Sequence, residues 1–311
     1  MRERRFLIEC ICTVSFLILS IWYLGILLRP TDADPCFDAI KSFHNAPENT
    51  FDVICYGSSH GWHGFSTPKL NEDLGIHSYN YGCNWQQLNT EKLFLEDSLR
   101  TQHPRVVLIE TYRVGNIIEN QPIDGEVYYS RAISNFPGKR EYLRQCLGTD
   151  PMINLSYYVP FVAFHENWMN INSESFWQYD NSEPYDYKWG FSTGSPGGAI
   201  HIPENACSVQ KPLPAKSIEC LDDIIRICNK NNIKIIFYTT PYADVYEYGD
   251  AMTEYARKNN CIYVNFFDKM DEAGIDEETD FADWGHLDTA GAEKVTVYLE
   301  GFILEQLHKN N

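Results

Sequence analysis

A serine that attacks an acyl carbonyl needs a base to take its proton, a third group to orient that base, and N–H donors for the oxyanion. Ser59 stands in Gly57-Ser58-Ser59-His60, directly after the apolar run 51–56, where a Gly-led turn can expose a side chain at a sheet edge. Asp283 and His286 are separated by two residues just before a predicted helix, so one turn can aim both side chains together. Each piece has an ordinary explanation alone. Serines are common in turns, a loop histidine is commonly a surface residue, and Asp288 or Thr289 can simply cap the helix. Their order carries the signal: strand and G-S-S near the start, Asn80-Tyr81-Gly82 after a second strand, D-x-x-H before the last helix.

The elements that must position these residues alternate. Apolar runs at 51–56 and 105–110 read as buried strands, with a weaker strand at 76–82. Between them, residues 87–100 mix Leu88, Leu93, Leu95 and Leu99 with Glu91, Lys92, Glu96 and Asp97, which predicts a solvent-facing helix. Ile218, Leu221, Ile224, Ile225 and Cys228 share one face of a helix before the apolar strand 233–238, and a helix at about 250–258 precedes a strand at 261–266. Val295, Leu299, Phe302, Ile303 and Leu307 mark a closing helix over about 289–307. This alternation predicts a three-layer, doubly wound α/β fold with a mainly parallel sheet, its site at the carboxyl edge of the strands. Residues 112–215 break the rhythm, except for a short periodic segment at 139–147. They read as an ordered insertion, a cap or substrate-binding region rich in Tyr, Trp, Asn, Ser, Gly and Pro.

Residues 6–28 form an apolar stretch of 23 residues whose one charge is Glu9, enough to cross a hydrocarbon core of about 30 Å. Arg2, Arg4 and Arg5 precede it, and Asp32 and Asp34 follow, so the basic flank is expected inside and the rest outside the cytoplasmic membrane. The rival reading is a cleaved signal peptide; the run exceeds a usual h-region and no A-x-A-like site follows. The expected layout is a tip and single-pass anchor over 1–29, a stalk over 30–50 and a folded domain over 51–311. A net charge of −18 and a pI near 4.8, without a basic stripe beyond the first residues, argue against nucleic acid as partner. Of ten cysteines, Cys10 and Cys12 lie in the apolar stretch and the rest are scattered without a C-x-x-C pair; Cys55 and Cys228 read as small buried hydrophobes, and one or two disulfides stay open. No nucleotide loop, flavin fingerprint or metal cluster is found, so no cofactor is expected.

On its blocks the chain resembles the SGNH (GDSL-like) hydrolase superfamily over about residues 51–111 and 216–307. Ser58 stands where that family has the Asp of G-D-S, Ser59 where it has the nucleophile, and Asp283 and His286 match its D-x-x-H block. The resemblance implies an SGNH/flavodoxin-like sheet, a Ser59–His286–Asp283 triad and an oxyanion hole from Ser59, Asn80 and Gly82. The family's third block, G-x-N-D, is replaced by Thr111-Tyr112-Arg113, which leaves the asparagine donor displaced to Asn116 or substituted by Tyr112 or Arg113. G-S-S-H, the apolar N-terminus and the segments around His165, Trp168 and 188–191 resemble exported bacterial proteins related to alginate O-acetyltransferases and DltD-type transfer proteins. That branch implies acyl transfer to a cell-envelope polysaccharide, in partnership with a multi-span membrane O-acyltransferase, with His60, Tyr112, Arg113, His165 and Trp168 as substrate contacts. Three rivals stand beside it: a carbohydrate esterase, a silent binding module for polysaccharide or membrane partner, and a zinc site built from His60, His63, Asp283 and His286, which lacks the helical H-E-x-x-H context.

Overall fold

Five short strands, β1 (Val53–Tyr56), β2 (Ser78–Asn80), β3 (Val106–Glu110), β4 (Lys234–Thr239) and β5 (Ile262–Asn265), pair in parallel in the order β2-β1-β3-β4-β5. They belong to a computed structural model that describes residues 2–28, 35–119, 127, 129–172, 174–176 and 190–308. Their side chains alternate between two faces. Ile54, Tyr56, Val107, Ile109, Ile235 and Phe237 enter one core cluster, while Val53, Cys55, Val106, Leu108, Ile236 and Tyr238 enter the other. Both faces are covered, which is why these strands are continuously apolar. The expected doubly wound α/β architecture is the observed one.

One face is covered by α5 (Leu88–Ser98) and α9 (Ala215–Lys230), the other by α4 (Thr67–Leu74) and α12 (Thr289–His308). Further helices are α1 (Arg2–Leu27), α2 (Pro35–Asn45), α3 (Ser59–Gly64), α6 (Pro137–Leu147), α7 (Pro151–Tyr158), α8 (Pro160–Phe164), α10 (Gly249–Lys258) and α11 (Met270–Ala273). The chain leaves β1 toward β2 on one side and returns to β3 on the other. The carboxyl ends of β1 and β3 therefore flank a crevice where loops diverge, the place where open α/β sheets bind ligands.

Two expectations are corrected. Residues 35–45 are not part of an irregular stalk: they form α2, whose Cys36, Ile40 and Phe43 are fully buried. Phe43 stacks on Tyr81 with centroids 4.2 Å apart, and Tyr79 Oη donates to the Ala39 carbonyl at 2.6 Å. Residues 30–34 of the expected stalk lie outside the described residues. Nor does α5 face solvent. It lies between the sheet, α6 and α9, and several of its polar positions are buried against partners: Tyr81 Oη and Arg100 bond Asp97, and Asn89 Nδ2 donates to the Ile118 carbonyl.

Helix α1 is long and apolar enough to cross a membrane, with its side chains exposed until Gly25. No disulfide joins any of the ten cysteines, six of which are buried.

Candidate active site

Strand β1 ends at Tyr56, and Gly57 and Ser58 turn the chain into α3, of which Ser59 is the first residue. The turn is held on all sides. Gly57 N–H donates to Gln86 Oε1 at 3.0 Å, its carbonyl accepts from Cys83 N–H at 3.1 Å, and Ser58 Oγ caps α3 by accepting from His60 N–H at 3.3 Å. Below the turn lies Glu110, the last residue of β3. A Cβ at Gly57 would stand 2.6 Å from the Glu110 Cβ, and one at Gly61 3.1 Å, so glycine at both places is a matter of close approach. Glu110 is wholly buried and accepts from Ser58 Oγ at 3.4 Å and from Tyr112 N–H at 2.8 Å. Burial pushes its carboxyl up to about 8, against the pull of these hydrogen bonds and of Arg113.

The other half comes from the loop between α11 and α12. A bridge between Phe281 and Leu287 and the bond from Ala282 N–H to the His286 carbonyl close it into a narrow turn. Asp283 Oδ1 accepts from the N–H groups of Gly285 (2.7 Å) and His286 (2.9 Å), and His286 Nδ1 is 3.0 Å from both Asp283 oxygens. His286 Nε2 is 2.7 Å from Ser59 Oγ. Burial alone would raise the Asp283 carboxyl; the bonds from His286 and the Gly285 N–H outweigh it and hold the group below its ordinary value. An ionised Asp283 favours the tautomer with the proton on Nδ1, leaving Nε2 as acceptor for the serine hydroxyl. Asp288 caps α12, accepting from Gly291 N–H at 2.9 Å.

The expected oxyanion donors fare differently. Ser59 N–H, at the first helical position, has no intrahelical partner. Asn80 is corrected: both protons of its buried amide go to α3 and its C-terminal cap, to the carbonyls of Gly61 (2.8 Å) and Phe65 (3.0 Å), so it ties α3 to β2. Gly82 N–H donates to Asn80 Oδ1 at 3.1 Å, a bond that an incoming oxygen would have to share. Thr111 is absorbed by a network with Thr239 and Tyr246, and Asn116, its amide oriented so that both ends are satisfied, accepts from Arg113 Nη1 at 3.1 Å.

His60 is 4% exposed, stacked on Tyr112 at 3.7 Å between centroids and 5.1 Å from the His286 ring. Burial, then the nearby His286 and Arg113, lower its pKa well below that of a free imidazole, and burial lowers that of His63 to about 4. His60 is thus a neutral wall beside the base, sealed from solvent by Tyr112, and its expected contact with substrate is corrected accordingly. Arg113 lies over Trp85 at 4.9 Å and over Tyr112 at 5.6 Å and forms no ion pair among the described residues. Trp85 and Trp284 are 65% and 61% exposed. His165 and Trp168 are corrected too: they belong to the segment packed on the end of α1, and no contact joins them to the triad among the described residues. Lys188 and Trp189 lie outside the described residues; Trp62 Nε1 donates to the Gly190 carbonyl. No three His, Cys, Asp or Glu side chains converge as ligands for an ion among the described residues.

Gln86 and Glu110 went unseen in the sequence, one being a glutamine in a polar loop and the other the end of an apolar strand. Gln86→Ala is expected to cost about 1–3 kcal/mol, because it strips the buried Gly57 N–H of its acceptor. Urea unfolding of the detergent-solubilised protein measures it.

No family model matches this chain, and no curated protein does. Solved structures do. A protein from Desulfitobacterium hafniense classed as a lipolytic protein of the G-D-S-L family is 12% identical, with TM-score 0.39, over 81% of this chain and 99% of its own. A protein from Bacteroides fragilis classed as an acylhydrolase is 12% identical, with TM-score 0.42, over 85% and 94%. A protein from Parabacteroides merdae classed as a GDSL-like lipase is 11% identical, with TM-score 0.37, over 84% and 97%. Two of the three carry the G-D-S-L name that the sequence blocks resemble. At such scores they carry no argument about the reaction, which is read from the geometry of Ser59, His286 and Asp283.

Proposed function

We propose that this chain is an extracytoplasmic serine acyltransferase or esterase that works through an acyl-Ser59 intermediate and acylates a cell-envelope or exopolysaccharide. The observation that carries the reading is the 2.7 Å contact between Ser59 Oγ and His286 Nε2, with Asp283 on the opposite ring nitrogen. His286 takes the Ser59 proton as Oγ bonds to the acyl carbon. Ser59 N–H, with Gly82 N–H once freed, stabilises the oxyanion, and His286 returns the proton to the departing oxygen. In the second half an acceptor hydroxyl gives its proton to His286 as its oxygen bonds to the acyl carbon, and His286 passes that proton to Ser59 Oγ as the acyl–Oγ bond breaks; water in place of the acceptor makes the reaction a hydrolysis.

Two features favour a glycan acceptor. Trp284 is adjacent to Asp283 in the base-bearing turn, and Trp85 is stacked on Arg113; both rings are largely exposed, as suits stacking against sugar. The apolar α1 behind an Arg-rich tip favours an anchor with the domain outside, and the resemblance of the sequence blocks adds a multi-span O-acyltransferase as acyl donor.

A fluorophosphonate probe tests the nucleophile. The protein in detergent is expected to be labelled at Ser59, with labelling lost in Ser59→Ala and His286→Ala; folded, unlabelled wild-type protein would favour the silent binding module instead. An activated acetyl ester supplied with candidate glycans then separates the two activities, since free acetate without a modified acceptor identifies the esterase.

A further inference from the structure

The last turn of α1 is held fast by the insertion. A Cβ added at Gly25 would stand 2.7 Å from the Phe161 nitrogen, Ile26, Leu27 and Leu28 are buried, and Asn167 Nδ2 donates to the Leu28 carbonyl at 2.9 Å. The turn Glu174–Phe176 also touches α1, and α7 packs on α8. Around this junction the insertion turns large apolar side chains outward: Met152, Tyr158, Trp168, Met169 and Phe176 are between 55% and 76% exposed. Trp22 and Tyr23 of α1 are exposed beside it, so the apolar surface of the helix continues onto the insertion.

Length along α1 fixes the height of this surface. The 23 residues of the apolar stretch rise about 34 Å at 1.5 Å per residue, against a hydrocarbon core of about 30 Å. Leu28 therefore stands at the far edge of that core, and so does whatever binds its carbonyl. Trp and Tyr concentrate at this boundary because their rings are apolar and their tips polar. His165 and Glu166 lie among the apolar positions with side chains 55% and 93% exposed. Charged groups suit a headgroup layer and are depleted from the cores of protein interfaces.

We propose that α7, α8 and the turns His165–Asn170 and Glu174–Phe176 form a foot that sinks Trp168, Met169 and their neighbours into the outer face of the phospholipid bilayer. The foot rests on the reading that α1 crosses that bilayer, and the domain is thereby seated on the lipid at a fixed height.

Quenching by lipid separates the two. The full chain is reconstituted in phosphatidylethanolamine and phosphatidylglycerol vesicles containing phosphatidylcholine brominated near the top of its acyl chains. Trp22→Phe and Trp168→Phe, both at exposed positions, are each expected to remove a comparable share of the quenching of tryptophan fluorescence. Met169→Glu, with Trp168 intact, is expected to lower the quenching as well, by drawing that turn toward water. Loss in Trp22→Phe with none in Trp168→Phe or Met169→Glu overturns the foot, leaves the spanning helix standing and assigns the surface to a protein partner. No loss in any variant removes the spanning helix and the foot with it.

Discussion

Ser59→Ala and His286→Ala are each expected to lower turnover of an activated acyl ester by about 10⁴- to 10⁶-fold, and the double variant to lose little more, because nucleophile and base act as one unit. Removing the base leaves a hydroxyl that cannot shed its proton, and removing the hydroxyl leaves a base with nothing to activate. Asp283→Asn is expected to cost less, roughly 10²- to 10⁴-fold. Asp283 acts by fixing the imidazole tautomer, and its side chain is half exposed, so water supports part of that role. Steady-state hydrolysis of an activated acetyl ester by the full chain in detergent measures all four variants. A loss under tenfold in His286→Ala would remove that residue as the base.

Glu110→Gln is expected to stabilise the protein at alkaline pH and change little at pH 5 or below. The free carboxyl titrates near 4.5 and the folded one near 8, raised by burial. Below the lower value both states are protonated and no difference arises. Between the two values the unfolded chain loses its proton while the folded one keeps it, so stability falls as pH rises, by about 1.4 kcal/mol per unit. The loss totals about 3–5 kcal/mol by pH 8 and is constant above it. Glutamine does not titrate and keeps an acceptor for Tyr112 N–H and a donor for Ser58 Oγ. Thermal unfolding at pH 5 and pH 8.5 should show the wild type losing several degrees that the variant keeps. Equal losses in both would place the pH sensitivity elsewhere.

The fold was legible where burial is regular. Continuous apolar runs marked β1, β3, β4 and β5 because both faces of this sheet are covered, and the 3.6-residue spacing marked α9 and α12. Helix α5 was misread because Glu91 and Asp97, polar in the sequence, are buried. A partner such as Tyr81, distant in sequence, leaves no local trace. Helix α2 was hidden because Pro30, Pro35 and Pro47 read together as an irregular lead-in, whereas Pro35 opens a helix that the stacking of Phe43 on Tyr81 holds in place. At the site, block order singled out Ser59, Asp283 and His286, and the structure places the first two within hydrogen-bond distance of the third. Asn80 was found for the wrong role, since residue type cannot tell an amide aimed at a ligand from one that ties two backbone segments together.

The nucleophile and its base are 227 residues apart in the chain. Long loops close slowly, and domains emerge from the ribosome N-terminal end first. The turn bearing Ser59 is thus made well before the turn bearing His286, which docks together with α12. Until that docking Ser59 is an ordinary hydroxyl, and it gains its imidazole neighbour only when the two turns meet. A chain cut short before His286 would carry all five strands and a Ser59 without its imidazole neighbour, so the pairing of the two depends on completed folding and not on the sheet alone.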